Sequence, residues 1–146
     1  METARPTYLR AKVSNGNADE QALIRRWWHE QHNAQGCLVW EYHLDPLYAD
    51  AIWFPESSEH GVEHKGQKVA ARFPIKDVVV VLCEAKAEKL TPALIGQALV
   101  HDFFARRAGA RVRQTIIFAE IGTLDMTAAA TDLGLEVVLG TGSSVT

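Results

Sequence analysis

Cysteine is scarce in this sequence: only Cys37 and Cys83 occur, both inside apolar, strand-like runs. That excludes a disulfide framework and fits reduced core thiols in a reducing compartment. Long apolar runs are missing too. None approaches the ~20 residues that span a bilayer. The opening "METARPTYLR" also has no apolar signal-peptide segment. A cytoplasmic location is therefore expected. An excess of positive charge is absent, since 15 Lys+Arg stand against 18 Asp+Glu for a net charge of −3. This argues against a general attraction to nucleic acid or anionic membrane, but leaves room for a local basic patch. There is no internal repeat, no glycine-rich phosphate loop and no nucleophile elbow. His60 and His64 in "EHGVEHKGQK" are four residues apart. With no second ligand pair and no helical context, they predict no zinc site.

What is present reads as one globular domain over residues 1–146, with 47% hydrophobic and 23% charged residues. Residues 1–16 and 141–146 are polar and expected to be loose. "NADEQALIRRWWHEQH" predicts a helix with Asn17 as N-cap and Glu20 at the capping-box position; Leu23, Ile24, Trp27 and Trp28 form its apolar face. "CLVWEYHL" and "ADAIWF" predict strands joined by a turn at "DPLY". The polar stretch from Pro55 to Lys68 predicts a surface loop or weak hairpin. "KDVVVVLCEAKAE" predicts the central strand. Thr91-Pro92 then opens a helix closed near Gly109. "VRQTIIFAE", "TLDMTAAATDLG" and "LEVVLG" predict strand, short helix and strand. The order α-β-β-β-α-β-α-β is an α/β layout, helices on a mixed sheet.

The central strand poses the chemical question. Its valine run ends in Glu84-Ala85-Lys86. A period of two puts Glu84 and Lys86 on the face of Val80 and Leu82, where charges are costly unless paired or binding something. Asp50 opens the strand "DAIWF" and shares a face with Ile52 and Phe54 by alternation. If the two strands are neighbours, Asp50 and Glu84 converge. Paired carboxylates with backbone carbonyls make a hard oxygen site suited to Mg²⁺ or Mn²⁺, and Lys86 is placed to act on a phosphate or an attacking water. The competing reading is plain: a strand reaching solvent, with Glu84 and Lys86 as a surface ion pair.

Asp50 in "YADAIWF", Glu84-Ala85-Lys86 in "VVLCEAKAEKL" and Gln97 in "LIGQALVHDFF" resemble the PD-(D/E)xK nuclease superfamily, over residues 17 to 118. The pattern is closest to RecB-type nucleases and archaeal Holliday-junction resolvases. It departs from them in Ala49 at the usual Pro and His101 at the usual Tyr. The resemblance implies a restriction-endonuclease-like fold and a metal-dependent deoxyribonuclease that hydrolyses phosphodiester bonds. Asp50, Glu84, the Ala85 carbonyl and Glu20 would hold Mg²⁺ or Mn²⁺. Lys86 would act on water or phosphate, and Gln97 would orient the site. His101, Arg106 and Arg107 are candidate nucleic-acid contacts, with Arg111 and Arg113 nearby in the chain. DNA is the implied partner, in a homodimer or a larger nuclease assembly. The alternative is a non-catalytic nucleic-acid-binding or assembly subunit with the same fold.

Overall fold

The computed structural model describes residues 7–66, 68–140 and 144–145. The chain runs α1 (Thr7–His32), β1 (Cys37–His43), β2 (Tyr48–Phe54), β3 (Val62–His64), α2 (Val69–Arg72), β4 (Val79–Lys89), α3 (Pro92–Arg107), β5 (Arg111–Ile121), α4 (Leu124–Asp132), β6 (Glu136–Leu139) and β7 (Ser144–Val145). The strands form one mixed sheet ordered β3-β1-β2-β4-β5-β6-β7. β4, the valine strand, is its middle member. It pairs antiparallel with β2 and parallel with β5. Being covered on both sides explains why its first part is apolar without alternation.

The pleat sorts these side chains into two layers. Leu38, Trp40, Ala51, Trp53, Val81, Cys83, Ile116 and Phe118 pack under Leu23, Ile24, Trp27 and Trp28 of α1. The opposite face carries Val39, Ile52, Val80 and Leu82, with Val69 of α2 and Ala105 of α3. Its neighbouring part sets Ile117 and Val137 under Leu94, Ile95 and Ala98 of α3 and Ala130 of α4. The result is an α/β sandwich with α1 on one side and the other helices on the other. At ~25 cal/mol per Å² of apolar surface, each fully buried Trp or Ile contributes a few kcal/mol, and Trp27, Trp53 and Phe118 add edge-to-face contacts at 5.3–5.4 Å. No described helix is long and apolar enough to cross a membrane.

Three expectations need correction. The first helix begins at Thr7, so Asn17 and Glu20 lie within α1 and not at its start. Neither stands at the helix start; residues 7–16 belong to α1, and residues 1–6 of the stretch expected to be loose lie outside the described residues. The stretch after Pro55 is more than loop: β3 pairs parallel with β1, and α2 follows. Arg25 secures β3 to α1 through a two-pronged contact with Glu63 at 2.7 and 2.8 Å, and the Trp40 indole N–H donates to the same carboxylate at 2.8 Å. The tail also contributes a strand, β7, antiparallel to β6. The Thr91 cap holds as read: its hydroxyl accepts from the Leu94 N–H at 3.1 Å, with Pro92 in the first turn.

Candidate active site

A break in the pleat makes the site. Trp40 and Ala51 face α1, so alternation would send Tyr42 and Ala49 there as well. Both instead lie in the opposite layer, and the Tyr42 hydroxyl donates to the Phe73 carbonyl at 2.8 Å. Between them, Glu41 has φ +53°, and the register passes from Trp40↔Ala51 to Tyr42↔Ala49 with no Glu41↔Asp50 pair. Asp50 therefore inherits neither face. The expectation that it shares a face with Ile52 and Phe54 fails here because the left-handed residue opposite reverses the strand.

β2 and β4 part at the same level. Their pairing ends at Ala51↔Cys83, one step before Asp50 and Glu84. In place of the next ladder bond, the Ala85 N–H donates to Asp50 Oδ2 at 2.8 Å. An extended residue points its N–H and C=O to the same side, so the Ala85 carbonyl also leaves toward Asp50. The Asp50 N–H lies 3.4 Å from Glu84 Oε1. The two acids are thus neighbours across a splayed strand pair.

Glu84 keeps the face of Val80 and Leu82, beneath α3, and is fully buried. Gln97 Nε2 donates to its Oε1 at 3.1 Å, and His101 Nδ1 meets its Oε2 at 2.5 Å. Gln97 and His101 are one helical turn apart, so one stripe of α3 supplies both partners. Burial pulls the His101 pKa down, but the Glu84 hydrogen bond and the charges of Glu84 and Asp50 outweigh it and leave the imidazole above its ordinary value. His101 thus compensates a buried carboxylate. Only 4% exposed and turned to Glu84, it is not presented to a nucleic acid.

Asp50 is half-buried. Its pKa is pushed up to about 7, first by burial and then by the Glu84 charge, against the Ala85 N–H and His101. Glu20 approaches from α1. It is also raised, by burial and by Asp50, while Lys86 and the Ala87 N–H oppose the rise. Lys86 is exposed. It does not share the buried environment of Glu84, and β4 is irregular against β5 between Lys86 and Lys89. Glu20, Gln21, Ile24, Trp40, Glu41 and Asp50 line a small cleft of ~30 Å³ on the α1 side.

The structure therefore brings together Glu20, Asp50, Glu84, Lys86, Gln97 and His101, from two helices and two strands. It does not bring every acid oxygen into one coordination sphere: among the described residues, the Cys/His/Asp/Glu group whose ligand atoms all lie within 4.8 Å of one another is Cys37, Glu59 and His64. The arginines sit elsewhere. Arg106 is held by Asp102 at 3.0–3.1 Å and reaches the Val112 carbonyl; Arg107 stacks over Phe103 and Phe104. Arg111 pairs with Val79 at the start of β4, so it lies at the end of the strand away from Glu84.

The pairing of His101 with Glu84 was missed in the sequence; the i, i+4 spacing from Gln97 was the signal that could have found it. His60 and His64 diverge: His60 Nδ1 accepts from the Gly36 N–H at 3.2 Å, while His64 Nε2 meets Glu59 at 2.8 Å. No protein-family model, curated protein or solved structure matches this chain.

Proposed function

We propose that this protein is a divalent-metal-dependent nuclease of restriction-endonuclease-like fold that hydrolyses phosphodiester bonds in DNA. The observation that carries the reading is the parting of β2 and β4 at Asp50 and Glu84, where burial and mutual repulsion raise Asp50 to about 7. A fold that only needed stability gains nothing from setting a second carboxylate beside a buried one.

The donor chemistry suits Mg²⁺ or Mn²⁺, although Glu20, Asp50 and Glu84 must draw closer to share one ion. Asp50, Glu84, Glu20 and the Ala85 carbonyl offer only oxygen, which suits hard cations, and a dication would relieve the repulsion felt by Asp50 and Glu20. When bound, the ion supplies Lewis-acid stabilisation and a more acidic water. The chain's own residues do the rest. The Asp50 backbone N–H reaches Glu84 Oε1 across the strand gap, and the Asp50 carboxylate is held beside it by the Ala85 N–H. Gln97 and His101 fix the Glu84 rotamer from behind, so its position is set before any ligand arrives. Lys86, exposed beside Glu20, offers an ammonium to a phosphate oxygen or to the attacking water.

One observation favours a second reading, a non-catalytic nucleic-acid-binding or assembly subunit. Both Glu84 oxygens already have partners within the protein, so the fold satisfies this carboxylate with no cation. Incubating duplex, branched, flap and single-stranded DNA with the protein in Mg²⁺, Mn²⁺ or EDTA separates the two readings. Cleavage dependent on either cation supports the nuclease; binding without cleavage of any form supports the subunit.

A further inference from the structure

A second cluster lies at the other end of β1. Cys37 opens that strand and is fully buried. It pairs with Phe54, four residues along β2 from Asp50, or ~13 Å at ~3.3 Å per residue. β3 runs parallel beside β1, with Val62 opposite Cys37 and His64 opposite Val39. Cys37 and Val39 share a face, so His64 is the diagonal neighbour of Cys37 on that face. Glu59, in the preceding loop, reaches His64 Nε2 at 2.8 Å. One ligand atom from each of Cys37, Glu59 and His64 lies within 4.8 Å of the other two.

We propose that Cys37, Glu59 and His64 form a zinc-class metal site, distinct from the hard-oxygen site at Asp50 and Glu84. A thiolate and an imidazole with one carboxylate suit a borderline-soft ion such as Zn²⁺, not Mg²⁺. Tetrahedral zinc with ligands at ~2.0–2.3 Å has ligand–ligand edges of ~3.5 Å, between the 2.8 Å of His64 and Glu59 and the 4.8 Å that bounds the three ligand atoms. The backbone around them is already fixed. Gly36 adopts φ +69° and an added Cβ would stand 2.1 Å from the Phe54 carbonyl oxygen, so the start of β1 sits directly against the end of β2. The Gly61 N–H donates to Ala34 and Gly36 carbonyls at 2.8 and 3.0 Å, and Glu59 N–H to Ser57 Oγ at 3.2 Å. The Phe73 ring, 4.4 Å from the His64 ring, walls one side. The Glu59 side chain is 41% exposed, which leaves a solvent-facing position for a fourth ligand.

Zinc binds the thiolate, so binding releases the Cys37 proton and affinity rises with pH. The bound ion would tie the 55–64 excursion to the sheet, whether or not the other end of the sheet cleaves DNA.

Co²⁺ is the probe, because a cobalt–thiolate bond gives a sulfur-to-metal charge-transfer band that a site made only of oxygens cannot. The reduced 146-residue protein should bind one Co²⁺ with that band, and Zn²⁺ should displace it. Cys37→Ser should abolish the band. Glu59→Gln and His64→Asn, less buried and safer for folding, should weaken Co²⁺ binding at least tenfold. Cys83→Ser should leave the band intact. A folded wild-type protein with no charge-transfer band at excess Co²⁺, or a band that survives Cys37→Ser, overturns the proposal.

Discussion

Asp50→Asn should make the metal-free protein more stable, and the gain should depend on pH. Asn keeps the shape and an oxygen to accept the Ala85 N–H, but removes the charge beside Glu84. The folded Asp50 pKa is about 7, against an ordinary 3.8. Between those values the folded protein binds more protons than the unfolded chain, so wild-type stability falls as pH rises from ~4 to ~7 and then levels off. A gap of ~3 pH units at ~1.4 kcal/mol each sets an upper figure of ~4 kcal/mol. Solvent reaching the half-buried Asp50 screens the repulsion, so ~2–4 kcal/mol is the expected range. The advantage of Asn should be smallest near pH 4 and complete at pH 8. For a chain of this size it corresponds to ~5–15 °C in melting temperature. Urea and thermal unfolding of both proteins in EDTA at pH 4, 6 and 8 measure it. A variant equal to or less stable than wild type at pH 8 would refute the idea that these carboxylates are forced together.

Other outcomes follow from the same geometry. His101→Ala leaves Glu84 buried without its charged partner and should cost ~3–5 kcal/mol in urea unfolding at pH 7. The wild-type pair itself should be fully stabilising below the ordinary histidine value of 6.5, and that stability should be lost as pH rises through the higher folded value. Gly36→Ala must hold a left-handed backbone and push against Phe54; the backbone alone should cost ~1–3 kcal/mol, seen as a lower melting temperature. Lys86→Ala, at an exposed position, should leave melting and Mn²⁺ binding within error of wild type while lowering the rate of DNA cleavage. Equal loss of Mn²⁺ binding in that variant would place Lys86 among the ligand supports instead.

The Glu84 face and the Gln97 stripe were legible because strand period and one helical turn are local rules, whereas the place of Asp50 was not: alternation put it with Ile52 and Phe54, and the left-handed Glu41 opposite overturns that. β4 announced itself by a doubly buried valine run, and α3 by Thr91-Pro92. What escaped notice depends on distant partners. Glu41 is no glycine, yet it sits at φ +53° and turns both strands over, which no local pattern encodes. Asn17 looks like a helix start but lies inside α1, so Glu20 acquires its role from Asp50, Lys86 and Ala87, not from capping. β3 is three residues long and gains its stability from β1 and the Arg25–Glu63 contact. Cys37, Glu59 and His64 carry no metal-ligand spacing because the β1–β3 pairing brings them together.

The most direct test of the central claim is metal-dependent nicking of labelled DNA by the wild-type protein beside Glu84→Gln, both verified as folded. Glutamine keeps the size of the side chain and an oxygen for Gln97, but loses the charge that would hold the cation. The account predicts cleavage by wild type in Mg²⁺ or Mn²⁺, none in EDTA, and a loss of at least a hundredfold in the variant. Undiminished cleavage by folded Glu84→Gln, or no cleavage of any DNA form by wild type with either cation, would contradict it.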